Sequence, residues 1–331
     1  MSSLVDVARL AEVSVATASR VLNGSRHPVS EETRTRVVSA ARTLGYTPNG
    51  TARALVTGRT TIIGMIVGDI TDPYFSEITR GADDVARKHG FLTMICNADG
   101  KADMELAHVR AMNSFPAAGI IFAGSGRISD DKVEHDLAEN VARAASSGTR
   151  VVALAKRSFE STRILIDNVA SCRDMTRYLI SIGHRRIAFI EGPPDLYTSR
   201  DRFHGFEQAM SEAGLSSGLA YRGGFGLDDG ASAARRLLAD GLPDAIVAAN
   251  DDAAIGALTT LQEAGVDVPG TISIAGIDDT RHAGIVGLTT VRVHLDELGA
   301  AAALAIIEDD APMDTQTHAH EIVVRATTAR G

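Results

Sequence analysis

The sequence predicts a small all-α head followed by an α/β core of two doubly wound parallel-sheet lobes. Three observations carry this prediction. The first 45 residues contain three short capped helical segments, short apolar runs alternate with helical stretches from Thr61 onward, and that alternation occurs in two successive series. With 331 residues, 44% hydrophobic and 23% charged, the chain is long enough for two or three domains of ordinary globular composition.

The helices of the head are marked by their capping residues. Ser3 with Asp6 forms an S-x-x-D capping box at the start of the first helix. Ser14 caps a second helix, VATASRVLN, and Ser30 caps a third, which ends at Gly45. Because only the short turn EVS separates the first two helices, they form a helix-turn-helix, whose second helix enters the major groove of DNA.

The second helix has an inner apolar face and an outer face suited to DNA. Arg20 can donate two parallel hydrogen bonds to guanine, and Val15 and Ala16 can contact a thymine methyl group. Thr17 and Ser19 suit phosphate contacts, which fix the register of the protein on DNA. A trihelical domain with a purely structural role is the alternative. The inner face is predicted to hold Val13, Ala18, Val21 and Leu22, and the DNA contacts are predicted for Ser14, Val15, Ala16, Thr17, Ser19, Arg20 and Asn23.

The formal charge is distributed unevenly along the chain. Residues 1–60 hold eight arginines and four acids and carry +4, whereas the remainder holds 25 basic and 38 acidic residues and carries −13. A cationic head on an anionic core suits a polyanionic partner for the head alone. A solvated surface with uneven charge is the alternative that this distribution leaves open.

The first fifty residues resemble a known family. LVDVARLAEVSVATASRVLNGSRHPVSEETRTRVVSAARTLGYTPNGTARAL, residues 4–55, is similar almost position for position to the N-terminal region of LacI-type bacterial transcriptional regulators. The runs V-S-x-x-T-x-S-R-V-L-N, V-S-x-x-T-R-x-x-V and Y-x-P-N-x-x-A-R-x-L carry the resemblance. It implies a cytoplasmic, nucleoid-associated homodimer whose two heads read the half-sites of a pseudo-palindromic operator.

The resemblance also implies a role for residues 47–60, as a hinge helix and linker that order on operator DNA. Leu55 is then a wedge in the minor groove, where an apolar side chain unstacks base steps and bends the duplex. Pro48 and Gly50 keep this helix marginal in isolation, in keeping with folding on binding. A plain linker helix whose leucine packs on the core is the alternative. The hinge residues predicted to contact DNA are Asn49, Ala52, Arg53 and Leu55.

The core contains two series of predicted strands. The first is TIIGMIV, FLTMIC, AGIIFAG and RVVALA, and the second is ILIDN, RIAFIEG, DAIVAAN and TISIAGID. Short apolar strands separated by helices indicate parallel sheets covered on both faces, with ligands bound beyond the carboxyl ends of the strands. The resemblance extends to this periplasmic-binding-protein-like layout. It implies a DNA-binding domain at 1–46, a hinge and linker at 47–60, and an effector-binding and dimerisation core at 61–331, with lobe 1 at about 61–163 and 294–320 and lobe 2 at about 164–293 and 321–331.

Polar and aromatic residues follow several of these strands. The resemblance implies effector contacts for Asp72, Tyr74, Phe75, Asp167, Arg202, Phe225, Asn250 and Asp278. Carboxylates, amides and guanidinium groups can pair with vicinal hydroxyls, while aromatic rings cover the apolar face of a sugar. Structural roles stay open for several of them: Asn250 and Asp278 could cap local structure, and Arg202 could pair with Asp201 or Glu207 on the surface.

Several classes of protein lack support in the sequence. No G-x-S-x-G elbow, H-E-x-x-H, Walker loop or G-x-G-x-x-G follows a strand, so no enzymatic activity, cofactor or metal site is expected. The longest apolar runs are too short to span a bilayer, and the N-terminus lacks the pattern of a signal peptide. Cys96 and Cys172 have no metal-type spacing and indicate reduced thiols in a cytosolic protein.

The resulting prediction is a sequence-specific DNA-binding regulator. The resemblance implies a repressor of carbohydrate uptake or metabolism genes, released by a sugar-like small molecule bound between the lobes. A corepressor-dependent regulator with a purine or other non-sugar effector is the alternative. A plain solute-binding protein would share the lobes, but it should have an export signal and no basic head.

Overall fold

The computed structural model describes residues 2–22, 28–46, 60–115, 117–129, 131–308 and 315–331. The chain divides into two compact units, residues 1–61 and 62–331. Five of the residues predicted to contact DNA lie outside the described residues: Asn23, Asn49, Ala52, Arg53 and Leu55. No helix in the described ranges is long and apolar enough to cross a membrane.

The first unit contains the helices predicted from the sequence, α1 Leu4–Leu10, α2 Val15–Leu22 and α3 Glu31–Thr43. The capping box of Ser3 and Asp6 is present, and the hydroxyl of Ser14 accepts a hydrogen bond from the Thr17 amide at 3.1 Å. The three helices share a small apolar core of Val7, Ala8, Ala11, Ala18, Val21, Val37, Ala40 and Ala41. Leu10 is 52% exposed, so Ala11 completes the buried face of α1.

In the second unit, the first sheet has six parallel strands among the described residues. They are β1 Ile62–Val67, β2 Leu92–Asn97, β3 Gly119–Phe122, β4 Arg150–Ala153, β5 Thr162–Ile166 and β11 Gln316–His318. Their order is β11-β5-β4-β3-β1-β2. The helices of this first lobe are α4 Pro73–Lys88, α5 Ala102–Ser114, α6 Lys132–Ser146 and α12 Leu295–Ile307.

Both faces of the first sheet are buried at strands β1, β3 and β4, as the continuous apolar runs predict, whereas the edge strand β2 is mostly exposed. Ile63 and Met65 of β1 pack with Ile78 of α4 and Leu298 of α12 on one face. On the other face, strand residues pack in a cluster with residues of α5 and α6. That cluster includes Ile66, Ile120, Phe122, Leu106, Val109, Leu137 and Val141.

The second lobe repeats this arrangement around a smaller parallel sheet. Its strands are β6 Ile187–Ile190, β7 Ala220–Tyr221, β8 Ala245–Ala248 and β9 Ser273–Ala275, in the order β7-β6-β8-β9. Its helices are α7 Asn168–Ser181, α8 Tyr197–Glu212, α9 Leu227–Asp240, α10 Asp251–Glu263 and α11 Arg281–Val286. Residues of α7 and α8 pack on one face of this sheet, and residues of α9 and α10 pack on the other.

Two short strands, β10 Thr290–Arg292 and β12 Glu321–Val323, pair with each other in antiparallel orientation. The sequence places the start of lobe 2 at about residue 164, but β5 pairs with β4 in the first sheet, with Val152 opposite Thr162. The chain therefore leaves the first sheet after Ile166 rather than within the strand. Strand β11 returns to β5 in the first sheet. The lobe boundaries otherwise remain a prediction.

Glycines allow helices of the second lobe to pack with their backbones in close approach. Gly230 of α9 faces the carbonyl of Ala253, and Gly256 of α10 faces the carbonyl of Leu227, so that a methyl group at either glycine would overlap a backbone oxygen. Backbone atoms cannot rotate away as a flexible side chain can, so the helices would have to separate.

We expect Gly256→Ala to lower the free energy of unfolding by about 1–3 kcal/mol, measured by chemical denaturation, because overpacking forces α9 and α10 apart. Gly284→Ala in α11 is the control, because a methyl group there meets no atom within 4 Å. Alanine favours a helix over glycine by up to about 1 kcal/mol, so the control should be neutral or stabilising. Equal stabilities of the two variants would contradict the close approach.

Candidate functional site

The first candidate site is the outer face of α2 in the first unit. Val15, Ala16 and Arg20 are exposed, whereas Ala18 and Val21 are buried. The predicted division of this helix into two faces is therefore confirmed. Val15 is 43% exposed although it is β-branched and apolar. Thr17 and Ser19 are half-buried at the edge of the same face. This surface has the residue types that read base edges in a major groove.

The second candidate site is a cleft of about 810 Å³ between the two lobes. Its lining comes from the segments that follow β1, β2 and β3 in the first lobe and β6, β7, β8 and β9 in the second. The cleft thus lies beyond the carboxyl ends of the strands, where ligands bind in open α/β sheets. Its volume is in the range of small-molecule sites.

Seven of the eight residues predicted to contact an effector line this cleft. They are Asp72, Tyr74, Phe75, Arg202, Phe225, Asn250 and Asp278. Asp167 does not line the cleft. It is exposed at the start of α7, where its carboxylate accepts a hydrogen bond from the Ala170 amide at 2.9 Å. Asp167 is therefore the N-cap of α7.

Arg202 and Asp278 form a buried ion pair at the back of the cleft. Nη2 of Arg202 lies 2.7 Å from Oδ1 of Asp278, and the residues are 2% and 4% exposed. Arg202 also donates hydrogen bonds to Oδ1 of Asn168, at 2.8 Å, and to the carbonyl of Ala249. The alternative of a surface pair of Arg202 with Asp201 or Glu207 is wrong, because Arg202 is buried and pairs with Asp278, and Asp201 pairs with Lys156 at 2.6 Å. Burial raises the pKa of Asp278 to about 6, and the opposing charge of Arg202 limits that rise.

Asp72 and Asn250 combine a cleft position with a structural role. Oδ1 of Asp72 caps α4 by accepting a hydrogen bond from the Tyr74 amide at 2.8 Å. Oδ1 of Asn250 caps α10, and its Nδ2 donates to the carbonyl of Phe225 at 2.8 Å. The predicted capping role of Asn250 is therefore confirmed, and it also holds the backbone of Phe225 beside the cleft.

Three aromatic rings, those of Tyr74, Phe75 and Phe225, contribute to the lining. Tyr74 and Phe75 pack edge to face, with ring centroids 5.0 Å apart. Burial raises the pKa of the Tyr74 hydroxyl, so that this group stays protonated and can donate a hydrogen bond at neutral pH. The cleft therefore offers apolar ring surface beside carboxylates, an amide and a guanidinium group.

The structure adds lining residues that the sequence does not single out as effector contacts. These are Asp99, Lys101, Glu105, Ser125, Arg127, Thr198, Asp252 and His282, among others. Glu105 forms a bidentate pair with the buried Arg157, at 2.6 and 2.9 Å, across 52 residues of sequence. The position of Asp99 after β2 is the same signal that points to Asp72 after β1. The neighbouring Asp251 is not a lining residue, because it is fully buried. Its carboxylate accepts hydrogen bonds from the amide and the hydroxyl of Thr280.

Polar contacts join the two lobes at the rim of the cleft. Arg127, after β3, forms an ion pair with Asp195, after β6, and the amide of Ile128 donates to the carbonyl of Asp195 at 2.6 Å. Glu77 of α4 accepts a hydrogen bond from the amide of Arg281 at 2.9 Å. These contacts join segments that are far apart in sequence, so a change in lobe orientation would alter them.

Burial raises the pKa of Asp72 to about 7, with further increases from the charges of Asp252 and Asp278. A carboxyl whose pKa is higher in the folded than in the unfolded protein stabilises the fold below the unfolded value, 3.8, and this stabilisation is lost as pH rises to about 7. Asp72→Asn keeps an oxygen that can cap α4 and removes this titration. We expect the variant to lose less unfolding free energy than the natural protein between pH 5 and 8, measured by urea denaturation.

Asp103→Asn, at an exposed position in the first turn of α5, is the control and should keep the pH dependence of the natural protein. An unchanged pH dependence in Asp72→Asn would contradict the raised pKa.

Comparison with known families assigns both units. Residues 3–49 match the family described as bacterial regulatory proteins, lacI family. Residues 60–326 match the family described as periplasmic binding proteins and sugar binding domain of LacI family. The two matches together cover the head and nearly all of the core.

Individual proteins agree with this assignment. The chain is 34% identical to catabolite control protein A of Priestia megaterium over 310 residues, which are 91% of this chain and 90% of that protein. It is 32% identical to the ribose operon repressor of Escherichia coli (strain K12) over 312 residues, 93% and 92% of the two chains. The solved structure of a lac repressor dimer bound to operator and the anti-inducer ONPF has the same fold, with a TM-score of 0.85, 23% identity and 99% of each chain covered. The chain belongs to the lacI family of bacterial regulatory proteins.

Proposed function

We propose that the protein is a homodimeric repressor of genes for carbohydrate uptake or metabolism, and that a sugar-like effector bound between the lobes sets its affinity for operator DNA. The observation that carries the proposal is the cleft at the strand ends, in which carboxylates, an amide and aromatic rings converge. The core belongs to a family described by its sugar binding domain, and one relative is a ribose operon repressor. The proposed partner, chromosomal DNA, implies a cytoplasmic, nucleoid-associated protein.

The proposed reader of the operator is the exposed face of α2. Arg20 would bind a guanine, and Val15 and Ala16 would contact a neighbouring thymine methyl group. The sequence of residues 47–60 supports a second contribution, in which Leu55 of each subunit wedges the centre of the operator and Asn49, Ala52 and Arg53 contact the DNA beside it. Two heads in a dimer suit a pseudo-palindromic operator.

The proposed control by an effector acts through the orientation of the lobes. A ligand that contacts Asp72 in one lobe and Asn250 in the other favours one orientation, and the rim contacts of Arg127 and Glu77 would differ in another. If the effector weakens operator binding, the operator must weaken effector binding by the same factor. A ligand that strengthens operator binding would instead define a corepressor.

The test of DNA reading is to recover, at moderate salt, the genomic fragments that the protein binds and to measure binding to the enriched site. We expect one pseudo-palindromic site, and we expect Arg20→Ala to lose about 1–3 kcal/mol of binding free energy there with relaxed preference at one base pair per half-site. Arg42→Ala is the control, because it removes an equal charge from an exposed position on α3 and should keep the base preference.

Candidate sugars are then added to the protein on its enriched site. Release of the DNA by at least one sugar supports the proposal. Enrichment of no site, or a site whose base preference Arg20→Ala leaves unchanged, would contradict the reading of DNA by α2. Operator affinity that no sugar changes would contradict the effector part of the proposal.

The proposed dimer surface includes strand β2 at the edge of the first sheet. Leu92, Met94 and Ile95 of this strand are 65%, 38% and 46% exposed, which is unusual for large apolar side chains on an edge strand. A second copy of the chain would bury them.

We expect Ile95→Asp to shift the protein from dimer to monomer in analytical ultracentrifugation, because a buried unpaired carboxylate is costly at an apolar interface. Leu238→Asp is the control, because Leu238 is 36% exposed and lies in α9 of the second lobe rather than at the edge of the first sheet. A dimer of unchanged strength in Ile95→Asp would refute this surface.

A further inference from the structure

We infer that the ligand of the cleft carries no phosphate or carboxylate group and is a neutral or cationic molecule rich in hydrogen-bond donors, such as an unphosphorylated sugar or an amino sugar. The inference rests on the proposed function, because it concerns the effector of the same cleft. It adds the charge class of that effector, which membership of the family leaves open.

The first step is that the cations of the cleft already have anionic partners in the protein. Arg202 pairs with Asp278 at 2.7 Å, and Arg127 pairs with Asp195. The other two basic lining residues have carboxylates beside them, with Nζ of Lys101 3.9 Å from Asp99 and Nδ1 of His282 3.5 Å from Asp252. Among the described lining residues, no lysine or arginine therefore stands apart from a carboxylate, as a phosphate site would require.

The second step concerns the carboxylates. Six line the cleft: Asp69, Asp72, Asp99, Glu105, Asp252 and Asp278. Within the described residues, Asp72 has no ion pair and Asp252 has only the imidazole of His282. Asp72 lies at the start of α4 in the first lobe and Asp252 in the first turn of α10 in the second. An anionic ligand would meet acidic side chains from opposite lobes, with Asp72 partly ionised at neutral pH because its pKa is about 7, whereas hydroxyl or ammonium groups could donate hydrogen bonds to both.

The third step concerns the helix N-termini at the cleft, the usual anion sites of α/β proteins. The protein supplies its own acceptors there. Asp72 caps α4, Asp229 accepts a hydrogen bond from the amide of Gly226 at the start of α9, and Glu77 accepts one from the amide of Arg281 in α11. Helices α5 and α10 carry acids in their first turns. At α8, the hydroxyl of Ser125 accepts from the amide of Thr198 at 3.1 Å.

These three steps give one physical picture of the site. Positive charge and helix N-termini attract phosphate, and here the cations and several of these helix starts already have carboxylates, carbonyls or a hydroxyl of the protein beside them. The acceptor capacity that remains, mainly on Asp72 and Asp252, is directed to donors. Ribose and glucose carry several hydroxyl donors and no charge, and glucosamine adds an ammonium group.

The test uses the full chain and matched sets of probes in isothermal titration calorimetry. The sets are D-ribose with ribose 5-phosphate, D-glucose with glucosamine and glucose 6-phosphate, and common neutral disaccharides with their phosphorylated forms. We expect at least one neutral or amino sugar to bind and its phosphorylated counterpart to bind at least tenfold more weakly. A phosphorylated sugar that binds as tightly as its parent would overturn the inference, and so would the absence of binding by every neutral and cationic member.

A pair of variants tests the carboxylates directly. Asp252→Asn keeps the size of the side chain and removes its charge. We expect the affinity for the sugar that binds to fall at least tenfold. We also expect a smaller ratio between the affinities for that sugar and for its phosphorylated form. Asp228→Asn is the matched control, because Asp228 is an exposed acid in the first turn of α9 and does not line the cleft. Unchanged selectivity in Asp252→Asn would overturn the inference.

The outcomes separate this inference from the proposed function. One outcome is that a neutral sugar binds tightly and its phosphorylated form does not, but operator affinity stays unchanged. This outcome would refute the control of DNA binding by this sugar and would still support the inferred charge class of the ligand. A phosphorylated sugar that binds and releases the operator would support the proposed function and refute the charge class.

Discussion

The buried pair of Arg202 and Asp278 is the interaction on which the geometry of the cleft depends. The guanidinium group of α8 is held at once by Asn168 at the start of α7, by the carbonyl of Ala249 after β8 and by Asp278 after β9. Two loops at the carboxyl end of the second sheet, and the start of α7 after β5 of the first sheet, are thus fixed to one cation. A buried ion pair adds little net stability over an apolar packing, but loss of one partner leaves a buried charge that costs several kcal/mol. The pair therefore specifies positions at the cleft more than it stabilises the fold.

This constraint continues from the cleft to the antiparallel pair of β10 and β12. Asp278 and Asp279 have φ angles of 121° and 55°, in a region that residues other than glycine rarely adopt. The strained backbone directs Asp278 to Arg202 while the carboxylate of Asp279 pairs with Arg292 at 2.7 Å and Arg325 at 2.6 Å. Arg292 belongs to β10, and Arg325 follows β12. A ligand that displaces Asp278 would therefore act on the backbone that also positions Asp279 against Arg292 and Arg325, at the β10–β12 pair.

The sequence predicts those features whose causes are local. Ser3 with Asp6 and the faces of α2 follow from capping and helical period, and the apolar runs predict the strands, so the fold and most of the cleft could be anticipated. The features that were missed depend on tertiary contacts. Glu105 enters the cleft through its pair with Arg157, 52 residues away, and β5 joins the first sheet because β4 and β11 flank it. Asp167 follows a strand as a cleft residue should, but the nearest amides of α7 take its carboxylate.

The two candidate sites use the same structural feature with opposite electrostatics. Helix α2 is capped by the neutral hydroxyl of Ser14 and has no acid in its first turn, so the positive end of its dipole is left for an external anion such as a DNA phosphate. At the cleft, Asp72 and the acids in the first turn of α10 place negative charge at the corresponding helix ends. The same division appears in the net charge, +4 in the first 60 residues and −13 in the rest. A polyanion and a donor-rich neutral ligand can therefore be sorted to different parts of one chain by the residues at its helix N-termini.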